Sequence, residues 1–211
     1  MKYGSSRSIG EILRRVPSFS AELGLDLNQR KDRFKWFIAS LLFARRISAT
    51  IAKKTFRRLM EEGLKDADSI LEAGWDRLVE TLDSGGYVRY NFSTATNLLE
   101  TIRMLKSGYG DLEKLHEKAD NPKDLELKLR KFRGFGPTAV NIFLRELRGI
   151  WLKADPNPSK KALETAELLG LKTRGVKKFK SSLIRKILSI AKNRDVGECP
   201  VKGYCRKPKF R

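Results

Sequence analysis

The sequence predicts an all-α protein. Apolar residues recur at three- and four-residue spacing through most of the chain, the period that collects side chains on one face of a helix. Glycine and proline stand singly between these patterns, where one helix stops or the next begins. With 211 residues the chain can build a real core, as one compact unit or as two small lobes.

Residues 1–34 open with a short amphipathic pattern, Ile9, Ile12, Leu13 and Val16, followed by a polar bend at Pro17-Ser18 and a second short piece ending at Leu25-Asp26-Leu27-Asn28. This segment is thin and must pack on something else. Phe34, Phe37, Ile38, Leu41 and Leu42 mark the strongest core helix. Arg45-Arg46 predict a break, and the Ser48 hydroxyl can cap a second helix carrying Ile51, Phe56 and Leu59. Two short helices are expected between Asp66 and Thr81, the first capped by Asp66 or Asp68, the second with an apolar face of Trp75, Leu78 and Val79. The segment from Gly85 to Ala95 leads into a helix with Leu98, Leu99, Ile102 and Leu105, and a short helix with Leu112 and Leu115 follows. His116 has no acid, base or metal partner near it in sequence and reads as a surface or core-edge residue.

Leu125, Leu129 and Phe132 share a helical face, and Gly134-Phe135-Gly136 then breaks the period. Each glycine can take a positive φ without steric cost. Pro137 suits the first position of a new helix, whose apolar stripe restarts at Ala139, Val140, Ile142, Phe143 and Leu147. A glycine hairpin running into a helix start exposes backbone N–H groups with positive partial charge, a phosphate-binding device. An ordinary αα-hairpin would carry the same glycines. Beyond it, Pro156 and Pro158 make 151–161 a connection, and helices with Ala162, Leu163, Ala166 and Leu169, then Leu183, Ile184, Ile187, Leu188 and Ala191, complete the chain.

The formal net charge is +20, which directs attention to a polyanion: DNA, RNA or an anionic membrane surface. Residues 172–211 hold fourteen lysines and arginines against Asp195 and Glu198. Such an excess is usually a solvated face; beside a phosphate-binding hairpin it can line a DNA groove. No stretch is long and apolar enough to span a bilayer, and the first residues lack an apolar export signal, so an intracellular protein of cytoplasm or nucleoid is expected. Two cysteines and one histidine argue against a histidine-rich metal site.

Three stretches carry a resemblance: the hairpin with Asp155 two helical turns beyond its second helix, Ile38-Ala39-Ser40-Leu41-Leu42-Phe43-Ala44-Arg45, and Gly85-Gly86 leading to Tyr90-Asn91. Together they resemble the helix-hairpin-helix–GPD superfamily of DNA glycosylases, particularly endonuclease III-like members, over roughly residues 34–155. The resemblance implies a two-lobed fold with a cleft between lobes, a six-helix module over 29–147 ending in the hairpin, and a second lobe built from 1–28 and 148–211. It implies a monomer that binds duplex DNA, with no membrane partner, and excises a damaged or mismatched base. Asp155 would be catalytic, stabilising the sugar cation as the base leaves. Arg133, Gly134, Phe135, Gly136, Thr138, Lys160 and Lys161 would contact DNA. Arg45 stands where the family has a glutamine that fills the gap left by a flipped base, and the Tyr87–Tyr90 loop would act as a wedge. The backbone carbonyls of Arg130, Phe132 and Phe135 would hold a sodium or potassium ion.

The chain also departs from the family. Thr138 occupies the place of the Schiff-base lysine, which implies a monofunctional enzyme, although Lys153, Lys160 and Lys161 lie near Asp155 in sequence. Arg130 replaces an acidic residue, and Pro156-Asn157-Pro158 after Asp155 is unusual. Of four cluster cysteines only Cys199 and Cys205 are present, with Ser189 and Val196 at the other places, so no iron–sulfur cluster is expected. The residues leave other readings open. Arg45 can be a solvated helix-end charge, Tyr87 and Tyr90 half-buried packing, and Asp155 a turn cap. A DNA-binding protein of the same fold without glycosylase activity is the main alternative, and an unrelated basic RNA binder the third.

Overall fold

The computed structural model describes residues 17–169, 171 and 176, and within them it is helical. The chain divides into two compact units, Leu23–Pro156 and a second drawn from Met1–Glu22 and Asn157–Arg211. Among the described residues the one β-type pairing is an isolated bridge between Arg148 and Trp151. The Ile9–Val16 pattern, the helix expected over 183–191 and both cysteines lie outside the described residues.

The first unit is organised on α2 (Arg30–Phe43); the short helix α1 (Phe19–Glu22) belongs to the other unit. Trp36, Phe37, Ile38, Ala39, Leu41, Leu42 and Phe43 are all buried, so α2 is enclosed on nearly every side, as an apolar helix requires. It ends before Arg45. In α3 (Ala49–Glu61) the Ser48 hydroxyl accepts from the Ile51 N–H at 3.2 Å, the expected cap. For α4 (Ala67–Ser84) the cap is Asp66, which accepts from the Ser69 N–H at 2.9 Å while the Ser69 hydroxyl accepts from the Asp66 N–H at 3.2 Å. These bonds hold the Asp66 carboxyl below the usual range. Gly74, at φ 71°, kinks α4, so the two short helices read from sequence occupy one span with a break.

The chain then turns at Gly85, where an added Cβ would stand 2.6 Å from the Thr55 Cα of α3. Only a residue without a side chain fits this approach. A 3-10 turn at Val88–Tyr90 enters α5 (Asn91–Gly108), which packs along α4. Two short helices follow, α6 (Leu112–Glu117) and α7 (Pro122–Arg130), capped by Asp111 and Asn121. Then α8 (Pro137–Glu146) packs against α2, and the Trp36 indole donates to the Phe143 carbonyl at 3.2 Å.

The first unit runs on to Pro156, past the boundary expected at Leu147. Trp151 is the reason. It is buried, edge-on to Phe143 at 5.6 Å and stacked on His116 at 4.6 Å, and its indole donates to Glu113 Oε2 at 3.2 Å. In the second unit, Ser159 caps α9 (Lys160–Leu168), and Ala162, Ala166 and Val176 form a small apolar cluster with Leu171 against it.

Candidate nucleic-acid interface

The hairpin connects α7 to α8. The Phe135 N–H donates to the Phe132 carbonyl at 3.0 Å and closes the turn. Gly134 has φ +84°, and a Cβ on it would stand 2.8 Å from the Asn97 side-chain amide, so glycine is required there twice over. Gly136 differs from the expectation: its φ is −68° and ψ 179°, an extended residue at the N-cap of α8. An added Cβ there meets nothing within 4 Å. Gly136, Pro137 and Thr138 are exposed, and Pro137 takes the first helical position as predicted. The amides of Thr138 and Ala139 are therefore among those a helix start leaves without intrahelical partners, with the positive end of the helix dipole behind them.

Phe135 needs a correction as a DNA contact. Its ring stacks on Phe37 at 4.2 Å and lies edge-on to Phe132 and Phe143, wholly inside the core. Each such aromatic contact contributes about 0.5–1.5 kcal/mol beyond area burial. Phe135 anchors the turn to α2. Arg133 is exposed and ion-paired with Glu100, which holds the Glu100 carboxyl low and the guanidinium high. The Arg133 carbonyl accepts from the Thr101 hydroxyl at 2.8 Å, so α5 supports the loop from below. Arg130 is exposed at the end of α7. The carbonyls proposed for an alkali ion are hard oxygen donors of the kind such ions take; that of Phe132 already accepts from Phe135 and keeps one lone pair for a cation.

Arg45 and Tyr90, far apart in sequence, come together. The Arg45 guanidinium lies 5.8 Å from the Tyr90 ring centroid, and Arg89 lies 5.5 Å from the same ring. Tyr87 is placed differently. It is fully buried, its hydroxyl donates to the Leu42 carbonyl at 2.7 Å, and burial pushes its ionisation far above that of ordinary tyrosine. Tyr87 is thus a strut beneath the loop, not a wedge, because its ring has no free face. Arg89 was missed from sequence although it adjoins Tyr90. Trp75, read there as part of a core face, is 41% exposed and stacks on the exposed ring of Phe92 at 5.5 Å.

Asp155 lies in the same unit as the hairpin. Its carboxylate is half exposed and ion-paired with Arg148 Nε at 3.2 Å. Arg148 also donates to the Pro156 carbonyl, clamping both ends of the 148–156 segment. Burial lowers the Arg148 pKa, and the Asp155 charge opposes that shift. Nothing in the sequence marked Arg148 beyond a charge at the end of an apolar run. Lys153 is occupied, donating to the His116 and Glu117 carbonyls at 3.0 and 3.1 Å. Lys160 is exposed and opens α9 with Lys161; both belong to the second unit.

Among the described residues no group of three or more His, Cys, Asp or Glu is placed to hold a metal ion, and no helix is long and apolar enough to cross a membrane. No family model and no curated protein matches the chain.

Proposed function

We propose that the protein is a monofunctional base-excision DNA glycosylase of the two-lobed helix-hairpin-helix type, acting on a damaged or mismatched base in duplex DNA. The observation that carries this reading is the hairpin: a glycine that must be glycine at 134, an open extended glycine at 136, and an exposed helix start, all pinned on α2 by Phe135. Backbone amides arranged in this way bind a phosphate, and with a charge of +20 the partner is a polyanion. Arg45 with Tyr90 and Arg89 supplies planar groups that can fill the space of an extruded base.

In this reading the Asp155 carboxylate exchanges its contact with Arg148 for the developing sugar cation and orients water toward it. Thr138 offers no amine for a covalent imine, and the Lys153 amine is turned toward two carbonyls. An alkali ion at the hairpin, held by the carbonyls of Arg130, Phe132 and Phe135, would add positive charge beside the phosphate.

A second reading, a DNA-binding protein of the same fold without catalysis, is favoured by the Asp155–Arg148 pair, which matches a turn-stabilising role. Incubation with duplexes carrying different lesions, followed by alkali to reveal abasic sites, separates the two. Base release from any of them supports the glycosylase; tight binding without release supports the second reading.

A further inference from the structure

We propose that Lys54 and Arg57 form a second phosphate-gripping site, which holds the duplex backbone to one side of Arg45 and Tyr90. This rests on the DNA-binding reading above and adds to it a footprint away from the hairpin.

Lys54, Arg57, Arg58, Glu61 and Ser84 line a cleft of about 390 Å³ between α3 and the end of α4. The three cations are not equivalent. Arg58 is neutralised, with Glu61 at 3.5 Å and Glu62 at 3.0 Å, and its Nε donates to the Ser84 hydroxyl at 3.2 Å. Lys54 and Arg57 are exposed, and among the described residues neither has an acidic partner. One helical turn apart, they present two uncompensated charges roughly 5–6 Å from each other at their Cβ atoms. A pair of separated charges suits successive phosphodiesters better than one small anion.

The cleft is tied to the candidate interface through the chain. Ser84 in its wall begins the segment that reaches Tyr90, and Gly85 presses that segment onto α3 beside Thr55. From Ser48 to Arg57 the helix rises about 1.5 Å per residue, roughly 14 Å in all. A duplex lying along α3 would span about four base pairs over that length, at about 3.4 Å each.

The test uses the full chain, its Lys54→Ala/Arg57→Ala double variant, and duplexes with a central abasic-site analogue. One duplex has long arms on both sides; two others are trimmed to two base pairs on one side or the other. Both side chains are exposed, so the thermal unfolding midpoint should not move. Two phosphate contacts contribute a slope of about 1.8 in log affinity against log salt, so from 50 to 200 mM salt the wild type should lose about twelvefold more affinity for the long duplex than the variant does. Trimming one particular arm should abolish this difference, and trimming the other should leave it. Equal salt slopes on the long duplex, or a difference that survives both trimmings, would overturn the proposal. A wild type that binds none of the duplexes would instead remove the DNA-binding reading itself.

Discussion

The two hairpin glycines should respond to substitution in opposite ways. At Gly134 the chain sits at φ +84°, which costs a residue with a Cβ about 1–2 kcal/mol. The same Cβ would stand 2.8 Å from the Asn97 amide, and Asn97 is itself buried, so overpacking adds about 1–3 kcal/mol. Gly134→Ala should therefore lower the unfolding midpoint by roughly 4–20 °C, taking about 2–4 °C per kcal/mol for a chain of this size. At Gly136 the φ of −68° suits any residue and the added Cβ points into open space. Gly136→Val should cost no more than about 1 kcal/mol, the difference between glycine and a β-branched residue at an N-cap. Its methyl groups, however, stand where a phosphate would approach the Thr138 and Ala139 amides. Losing charge-assisted bonds of about 1.5–3 kcal/mol should weaken duplex binding by roughly ten- to a hundredfold. Calorimetry and fluorescence anisotropy on the same preparations measure both quantities. Unchanged duplex affinity in Gly136→Val would refute the phosphate role of the hairpin, and an unchanged midpoint in Gly134→Ala would refute the geometry from which it is argued.

Asp155→Asn should retain its fold and duplex affinity but lose base release by about a hundredfold or more, as when other groups that stabilise transition-state charge are removed; full release in this variant would leave Asp155 as a turn residue. Borohydride should trap little enzyme on a lesion-bearing duplex, because Thr138 has no amine and Lys153 is held by two carbonyls; efficient trapping would defeat the monofunctional assignment. Iron and sulfide analysis of the purified protein should find no stoichiometric cluster, since the chain has two cysteines. Burial first, and then the Lys153 charge, lower the His116 pKa below its usual value near 6.5, so the unfolded chain binds the proton more readily. Stability should therefore fall as pH drops through 6.5, and thermal scans of His116→Gln should lack that component; the carboxylates of Asp32 and Asp66, held low in the fold, act only near pH 4 and below.

Much of the helical order was legible because it is local. Ser48, Asp66 and Pro137 act at the helix ends where their chemistry places them, and the Phe37 and Leu129 stripes are buried. What failed needed tertiary information. A tyrosine in a Gly-Tyr-Val-Arg-Tyr-Asn stretch gives no sign that one ring, Tyr87, reaches the Leu42 carbonyl while the other, Tyr90, meets two guanidiniums. A Gly-x-Gly pattern does not say which glycine has positive φ, nor that Asn97 from another helix fills the space a side chain at 134 would need. The Arg148–Asp155 contact was illegible for the same reason: charge at seven residues' separation outside a helix has no fixed geometry.

The Glu113 carboxylate receives Arg33 on one oxygen, at 2.6 Å, and the Trp151 indole on the other, at 3.2 Å. This decides where the gene can be cut. A shortened chain stopping at Leu147, the natural end of a hairpin module, would delete Trp151 and strip cover from Phe143 and His116. Removing one buried tryptophan side chain costs about 3–5 kcal/mol, which is a large share of the stability of most domains. A stop after Pro156 keeps every partner of Glu113 on one polypeptide, so the smallest piece worth expressing for binding work runs from Leu23 through Pro156, Asp155 included.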